Sequence, residues 1–448
     1  MGSSMSSIVR HAVIAVAAVG LAASTAGAQL VPPLALPPVN LPVGNVPVVG
    51  PVAAEILGSR EAQQAINPTL DTVSGLTQSI AQAGPSTLLQ LRRLRHQQLI
   101  REHRRELESD GTGQPVRRAV LIAINPDLAS LQQAERAGFR LISQESSPEL
   151  GLSTITLSVP RGMTARDGLR RLRTVAPGLQ ADFDHVFEPA GGMLLPVGGA
   201  LAAGGMAPGA GGVRIGMVDG GVASHPSLAA SSIEQRGFSG NPQATGHGTA
   251  VASLVVGSQG PFRGAAHGAS LLVADVYGGN RAAGSASTVV RALGWLASKR
   301  PGVINISLVG PPNLLLARAV QQVRARGIQV AAAVGNDGPA APPQYPASYP
   351  GVIAVTGVDA SGRALIEAGR ATHVDFAAPG ADMAAALPGQ GYARVRGTSF
   401  AAPLAAARLA LVGSTERLAA EARRGKGRVG RGIVCSGCRV EPKAVRAK

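Results

Sequence analysis

Residues 213–220 read VRIGMVDG, an apolar run that closes on a carboxylate and a glycine. Unbroken apolar runs of this length read as strands buried on both faces. Four more follow: ASLLVADVYG at 269–278, GVINISLVG at 302–310, IQVAAAVGN at 328–336 and GVIAVTGVD at 351–359. Between them stand helical patterns, HGTAVASLVVG at 247–257, ASTVVRALGWLASKR at 286–300 and LLLARAVQQVRARG at 314–327. Strands alternating with helices predict an α/β domain with a mainly parallel sheet, in which ligands bind beyond the C-terminal strand ends. Asp219 and Asn336 fall at two such ends.

Taken singly, each polar residue of this region has an ordinary explanation. Asp219, before two glycines, and Asn336, in VGNDG, are turn formers, and His247 in TGHGT is a helix cap or a satisfied core residue. In GTSFAAP at 397–403, Thr398 or Ser399 is placed to cap the Ala-rich helix that follows. Taken together they are a set. Acyl transfer needs a hydroxyl nucleophile, an imidazole to carry its proton, a carboxylate to hold the imidazole, and donors for the tetrahedral oxyanion. Ser399, His247, Asp219 and Asn336 supply those groups, in the chain order Asp, His, Ser used on the subtilisin scaffold.

The stretches VRIGMVDGGVASHPSL, GHGTAVASLVVG, INISLVG, AAAVGNDG, YPASYPGVIAVTGVD and GTSFAAPLAAA together resemble the subtilisin (subtilase) family of serine peptidases over residues 213–412. The resemblance implies an α/β fold with a mainly parallel sheet and helices on both faces. It implies Ser399 as nucleophile, His247 as general base and acid, Asp219 as its orienting carboxylate, and Asn336 with the Ser399 amide as oxyanion donors. It further implies that Ser307, Leu308 and Val309 pair with the substrate backbone, and that Ala332, Ala333 and Gly335 line the primary side-chain pocket. The chain departs from the family pattern at Gly220, where Ser or Thr is usual, at Ala250, where His is common, and at His267, where Pro is common. None of the three is one of the four chemical groups. The loop GSQGPFRG at 257–264 carries no Asn or Asp, so the calcium site of many relatives is not expected there, and no cofactor is expected.

Upstream, residues 116–189 follow the order strand, helix, strand, strand, helix, strand: RRAVLIAI, PDLASLQQAERAG, FRLISQES, LSTITLSV, MTARDGLRRLRTVA and DFDHVFE. That is a ferredoxin-like α+β module. It matches the propeptide of such secreted peptidases, which implies an intramolecular folding helper and inhibitor whose end, residues 183–191, lies in the cleft. A glycine-rich connector at 191–212 then reads as the processing region. Ahead of the module, residues 86–108 place Leu88, Leu91, Leu94 and Leu99 near helical spacing among charges, an amphipathic helix.

The expected plan is therefore a signal peptide at 1–28, ending on Ala-Gly-Ala, and a proline-rich linker at 29–84. A helix plus ferredoxin-like module follows at 85–190, then the connector at 191–212, a catalytic domain at 213–415 and a basic tail at 416–448. The leader implies a secreted or periplasmic protein. Its apolar run is too short to span a bilayer, and no later stretch qualifies, so no integral span is expected after its removal. The net charge of +16 concentrates in residues 92–118 and in the tail, where ten Lys or Arg face three Glu. Aromatics make up only 3% of the chain, so base-stacking surfaces are not expected and nucleic acid is not an expected partner. The expected partners are polypeptide substrates and the chain's own N-terminal module, with a monomeric state. Cys435 and Cys438 are the only cysteines, too few for a four-cysteine zinc site, and a local disulfide is the first reading of CSGC.

Overall fold

The computed structural model describes residues 85–191, 193–197, 211–389 and 391–445. The expected leader, the proline-rich stretch and most of the glycine-rich connector lie outside the described residues. Helix α1 (Pro85–Glu102) opens the folded part. It is followed by β1 (Leu107–Ser109), β2 (Pro115–Ile124), α2 (Leu128–Arg136), β3 (Arg140–Ser147), β4 (Leu152–Ser158), α3 (Ala165–Val175) and β5 (Ala181–His185). These strands form one antiparallel sheet in which β4 lies between β3 and β2, while β5 and β1 both pair with β2. The two helices start where the sequence supplies caps: Asp127 accepts from the Ser130 amide, and Thr164 from that of Asp167. They cover a core of Leu121, Phe139, Ile155, Leu157, Leu169 and Leu172.

The chain leaves this module through two short strands, β6 (Glu188–Pro189) and β7 (Met193–Val197), each of which pairs with the following domain. That domain begins with β8 (Arg214–Asp219), β9 (Ser232–Gly237), α4 (Gly246–Val256), β10 (Ser258–Gln259), β11 (Phe262–Arg263), β12 (Ser270–Asp275) and α5 (Ala286–Lys299). It continues with β13 (Val303–Ile306), β14 (Leu308–Val309), α6 (Leu314–Ala325), β15 (Gln329–Ala333), β16 (Ile353–Val358) and β17 (Phe376–Pro379). It ends with β18 (Met383–Ala386), β19 (Tyr392–Arg396), α7 (Thr398–Val412) and α8 (Thr415–Ala420). Seven strands make a wholly parallel sheet in the order β17-β16-β15-β13-β8-β12-β9. Burial on both faces explains the unbroken apolar runs. One face packs on α4 and α7, the other on α5 and α6.

The N-terminal module docks on α5 and α6. Ile122, Ile124 and Leu152 from its sheet and Leu150 from the β3–β4 turn join the same core cluster as Val289, Leu293 and Leu296 of α5 and Leu315 and Leu316 of α6. Its carboxylates finish both helices. Asp184 accepts from the Ser287 amide at 2.9 Å and its hydroxyl at 2.8 Å, and Asp182 accepts from the Leu314 amide at 2.8 Å. The first-turn amides of a helix have no partner inside it, so these bonds satisfy groups that the helices cannot satisfy alone.

The leucine spacing of α1 marks its docking face in part: Leu99 is buried, as are Arg92 and His96, while Leu94 is exposed. In the tail Ile433 forms isolated bridges to Ala377 and Arg423, and Cys435 and Cys438 close their disulfide in the next turn. The residues after 415 also pack as part of the body. The Val434 amide donates to Ala377, the Ala384 amide donates to Val440, and Val445 is buried against Phe262, Ala386 and Tyr392. Among the described residues no helix is long and apolar enough to cross a membrane.

Candidate active site

Four polar residues expected from the sequence meet beyond the C-terminal ends of the central strands. Asp219 ends β8 and is fully buried. Its Oδ1 accepts from the Gly220 amide at 2.7 Å and lies 2.9 Å from His247 Nδ1. His247 sits in the first turn of α4, which Thr245 caps by accepting from the Gly248 amide. A Cβ at Gly248 would run into the Gly220 carbonyl, so glycine there lets the His247 turn approach the Asp219 loop closely. With Nδ1 turned to the carboxylate, His247 Nε2 is buried and has no hydrogen-bond partner among the described residues.

Ser399 stands in the first turn of α7, and the N-cap is Gly397 (φ +145°), which makes no side-chain cap bond. Neither hydroxyl of this turn is used as a cap. Thr398 Oγ1 accepts from the Gly335 amide at 3.2 Å, and Ser399 Oγ donates to the Gly191 carbonyl at 2.8 Å. Asn336 is aimed by the first turn of α7: its Oδ1 accepts from the Thr398 amide at 2.9 Å. That leaves Nδ2 to donate to the carbonyls of Ala190 and Gly191, both at 2.6 Å.

The chain's own segment thus occupies the cleft. Glu188 and Pro189 pair antiparallel with Val309 and Leu308, and the Ala190 amide donates to the Ser307 carbonyl at 2.8 Å. Ser307 Oγ in turn donates to the Ser399 carbonyl. Ala333 belongs to the core cluster that includes Ala190, whereas Ala332 faces the opposite side of the sheet, as strand alternation requires. Gly335 has φ +91° and places Asn336 at the mouth. Phe187 is fully buried, with its carbonyl accepting from Tyr277 Oη at 3.1 Å. A Cβ at Gly310 would strike the Phe187 ring, so the missing side chain makes its seat.

An ionic cluster that sequence reading missed closes the near side of the cleft. Arg92 and Arg95 lie 3.1 Å and 3.0 Å from the two oxygens of Asp337, and Arg95 and His96 lie 3.1 Å and 3.3 Å from Glu188 Oε2. Burial opposes ionisation of Glu188, but Arg95, then His96 and Arg281, outweigh it and hold the carboxyl well below the usual range. Arg95 is 93 residues from Glu188 and 242 from Asp337 along the chain, spacings that no local pattern signals.

A hydroxyl, an imidazole with one nitrogen on a buried carboxylate, and an amide donor beside a peptide carbonyl can together carry out acyl transfer. The comparisons with known proteins agree. Residues 210–422 match the model of the subtilase family. The major intracellular serine protease of Bacillus subtilis is 33% identical over 221 residues, 46% of this chain and 69% of the relative. Subtilisin Savinase of Lederbergia lenta is 33% identical over 207 residues, 45% of this chain and 76% of the relative. Among solved structures, fervidolysin from Fervidobacterium pennivorans, a keratinolytic enzyme related to subtilisin, aligns with a TM-score of 0.60. At 18% identity over 74% of this chain and 61% of its own, it is evidence of shared fold. With its fold, its cleft and two relatives matched over more than two thirds of their length, the chain belongs to the subtilase family of serine peptidases.

Proposed function

We propose that the protein is a secreted serine endopeptidase made as a precursor that processes itself. Ser399 attacks a peptide carbonyl, His247 Nε2 takes its proton and returns it to the leaving amine, and Asp219 stabilises the imidazolium. Asn336 Nδ2 and the Ser399 amide receive the oxyanion. Ser307 to Val309 hold the acyl side of the substrate as an added strand, and Ala333 and Gly335 border the residue next to the cut. Secretion rests on the leader pattern of residues 1–28. Peptide bonds of polypeptides are the substrates, and the scheme uses no cofactor.

The observation that carries the reading is the path of residues 187–191. They run through the cleft with the Gly191 carbonyl on Ser399 Oγ and two successive carbonyls on Asn336 Nδ2. The first cut accordingly falls at Ala190–Gly191 or Gly191–Gly192, and the module of residues 85–190 stays as an inhibitor until released. Intact mass followed over time tests this. Wild type is expected to lose the module at one of those bonds while Ser399→Ala stays whole, and a fluorophosphonate probe should label only wild type. Equal labelling of both chains would sink the assignment of Ser399.

A further inference from the structure

The two basic segments of the sequence are used differently. In the first, Arg92, Arg95, Arg117 and Arg118 each meet a carboxylate. In the second, Arg423, Arg424, Lys426 and Arg428 are exposed and form no ion pair among the described residues. Glu421, the acid nearest to them in sequence, is taken on both oxygens by Arg408.

The loop that carries these four cations is held in place. Arg423 and Ile433 exchange main-chain bonds of 2.9 Å and 2.7 Å, and Lys426 donates to Gly362 and accepts from the Ala364 amide, both at 2.9 Å. Strand β17 is the outermost of the parallel sheet, and the end of the loop closes its open flank. The Ala377 amide donates to the Gly432 carbonyl, and the Val434 amide to that of Ala377. Val429 and Ile433 are buried there with Val358 and Ala377, which turns the basic residues between and before them toward solvent. Two more cations join the same edge. Arg363 bridges to Lys426, and the Arg431 guanidinium lies 4.4 Å from the centre of the Phe376 ring.

The acids nearby are engaged in local turns. Asp359 accepts from the Ser361 and Arg363 amides, Asp375 from the Ala354 amide and Glu416 from the Thr415 hydroxyl. Like charges fixed side by side repel one another, so the edge holds an electrostatic cost that an array of anions would relieve. Guanidinium forks match phosphate oxygens in pairs. Phe376, the ring under Arg431, is fully buried, so a nucleic acid would find charge there but no platform for its bases.

We infer that residues 423–431 with Arg363 form a docking edge for the phosphate headgroups of an anionic lipid surface, holding the catalytic domain at a membrane without spanning it. The inference goes beyond the peptidase reading and is independent of it, since no residue of the candidate active site takes part. Asp219 stands on a central strand and the docking edge on the outermost one, so attachment leaves the cleft open to polypeptides.

The test uses the secreted Ser399→Ala chain and vesicles of phosphatidylcholine, alone or mixed with phosphatidylglycerol, with bound protein measured by co-sedimentation. Binding is expected on the mixed vesicles only, and it should weaken as salt is raised. Arg424→Gln, Lys426→Gln and Arg428→Gln together should weaken it roughly hundredfold, since each cation near such a surface contributes about a factor of five. Arg136→Gln, Arg161→Gln and Arg173→Gln together remove the same charge from exposed positions of the N-terminal module and should leave binding nearly unchanged. Mixed vesicles should also shield the bonds after Arg423 to Arg431 from trypsin in the chain without these substitutions, a readout that needs no folded variant. Equal losses from the two triple variants, equal binding to both kinds of vesicle, no binding, or no shielding would each overturn the docking edge. Tighter binding to single-stranded DNA than to the mixed vesicles, lost with the same three residues, would overturn the assignment to lipid.

Discussion

Arg95 Nη2 lies 3.0 Å from Asp337 Oδ1, and Asp337 follows directly on Asn336. The same guanidinium reaches Glu188, two residues before the Ala190 carbonyl that Asn336 also holds. Helix α1 thus grips the wall of the cleft and the strand lying in it with one side chain. Arg95→Ala leaves two carboxylates short of a partner. Allowing for partial exposure of Arg95, the loss in a Ser399→Ala chain should be about 2–3 kcal/mol by urea unfolding. Arg95→Lys should recover only part of it, because an ammonium cannot serve both carboxylates as a fork. A change indistinguishable from zero would mean that the pair breaks even with water.

Asn336 is held by the Thr398 amide and offers its amide hydrogens to the cleft. Asn336→Ala should lower kcat by about 10²–10³-fold with little change in KM, since the bond it makes matters most when charge develops on oxygen. Self-processing, followed by mass, should slow in proportion. A raised KM at unchanged kcat would instead make Asn336 a ground-state contact.

Phe187 fills a pocket floored by Gly310 and closed by Tyr277. Phe187→Ala should cost the Ser399→Ala chain about 3–5 kcal/mol, the usual loss for an emptied aromatic site. Peptides with an aromatic three residues before Ala190 should also outcompete their alanine counterparts in kcat/KM. Equal rates for both would show that the pocket serves the precursor alone.

Asp184 carries a pH dependence whose sign follows from its surroundings. Burial raises its carboxyl above the ordinary aspartate value, against the Ser287 amide, the hydroxyls of Ser287 and Ser285, and Arg117. The docked state binds the proton more tightly, so this contribution is full below the ordinary aspartate pKa and is lost as pH rises through the raised value. The Tm of a Ser399→Ala chain should therefore fall, relative to the same chain carrying Asp184→Asn, from about pH 4 upward toward neutrality. Parallel Tm curves would show that Asp184 titrates alike docked and free.

Much of the catalytic domain was legible because its central strands are buried on both faces, and a run such as LLVAD has few other readings. The places of the four polar residues of the candidate site were legible for a related reason. Asp219, His247, Asn336 and Ser399 each end or begin an element, where local turn residues mark the place. The polar edge strand β9, SIEQRG, carried no apolar alternation and was not expected. Nor was β17, whose four residues are too short for any period to register. Helix α1 was legible only in part: Leu99 is buried as its leucine spacing suggested, but Leu94 is exposed, and Arg92 and His96 are buried as well. Their partners, Asp337 and Glu188, are fixed by tertiary folding alone.

The carboxylates that finish α5 and α6 belong to a segment which, in the scheme above, is cut away. When it departs, the Ser287 and Leu314 amides fall back on water, and the two helices lose the ends against which they formed. In that scheme a mature domain that opens must re-form both helices without those partners, and its lifetime is then governed by how slowly it first opens.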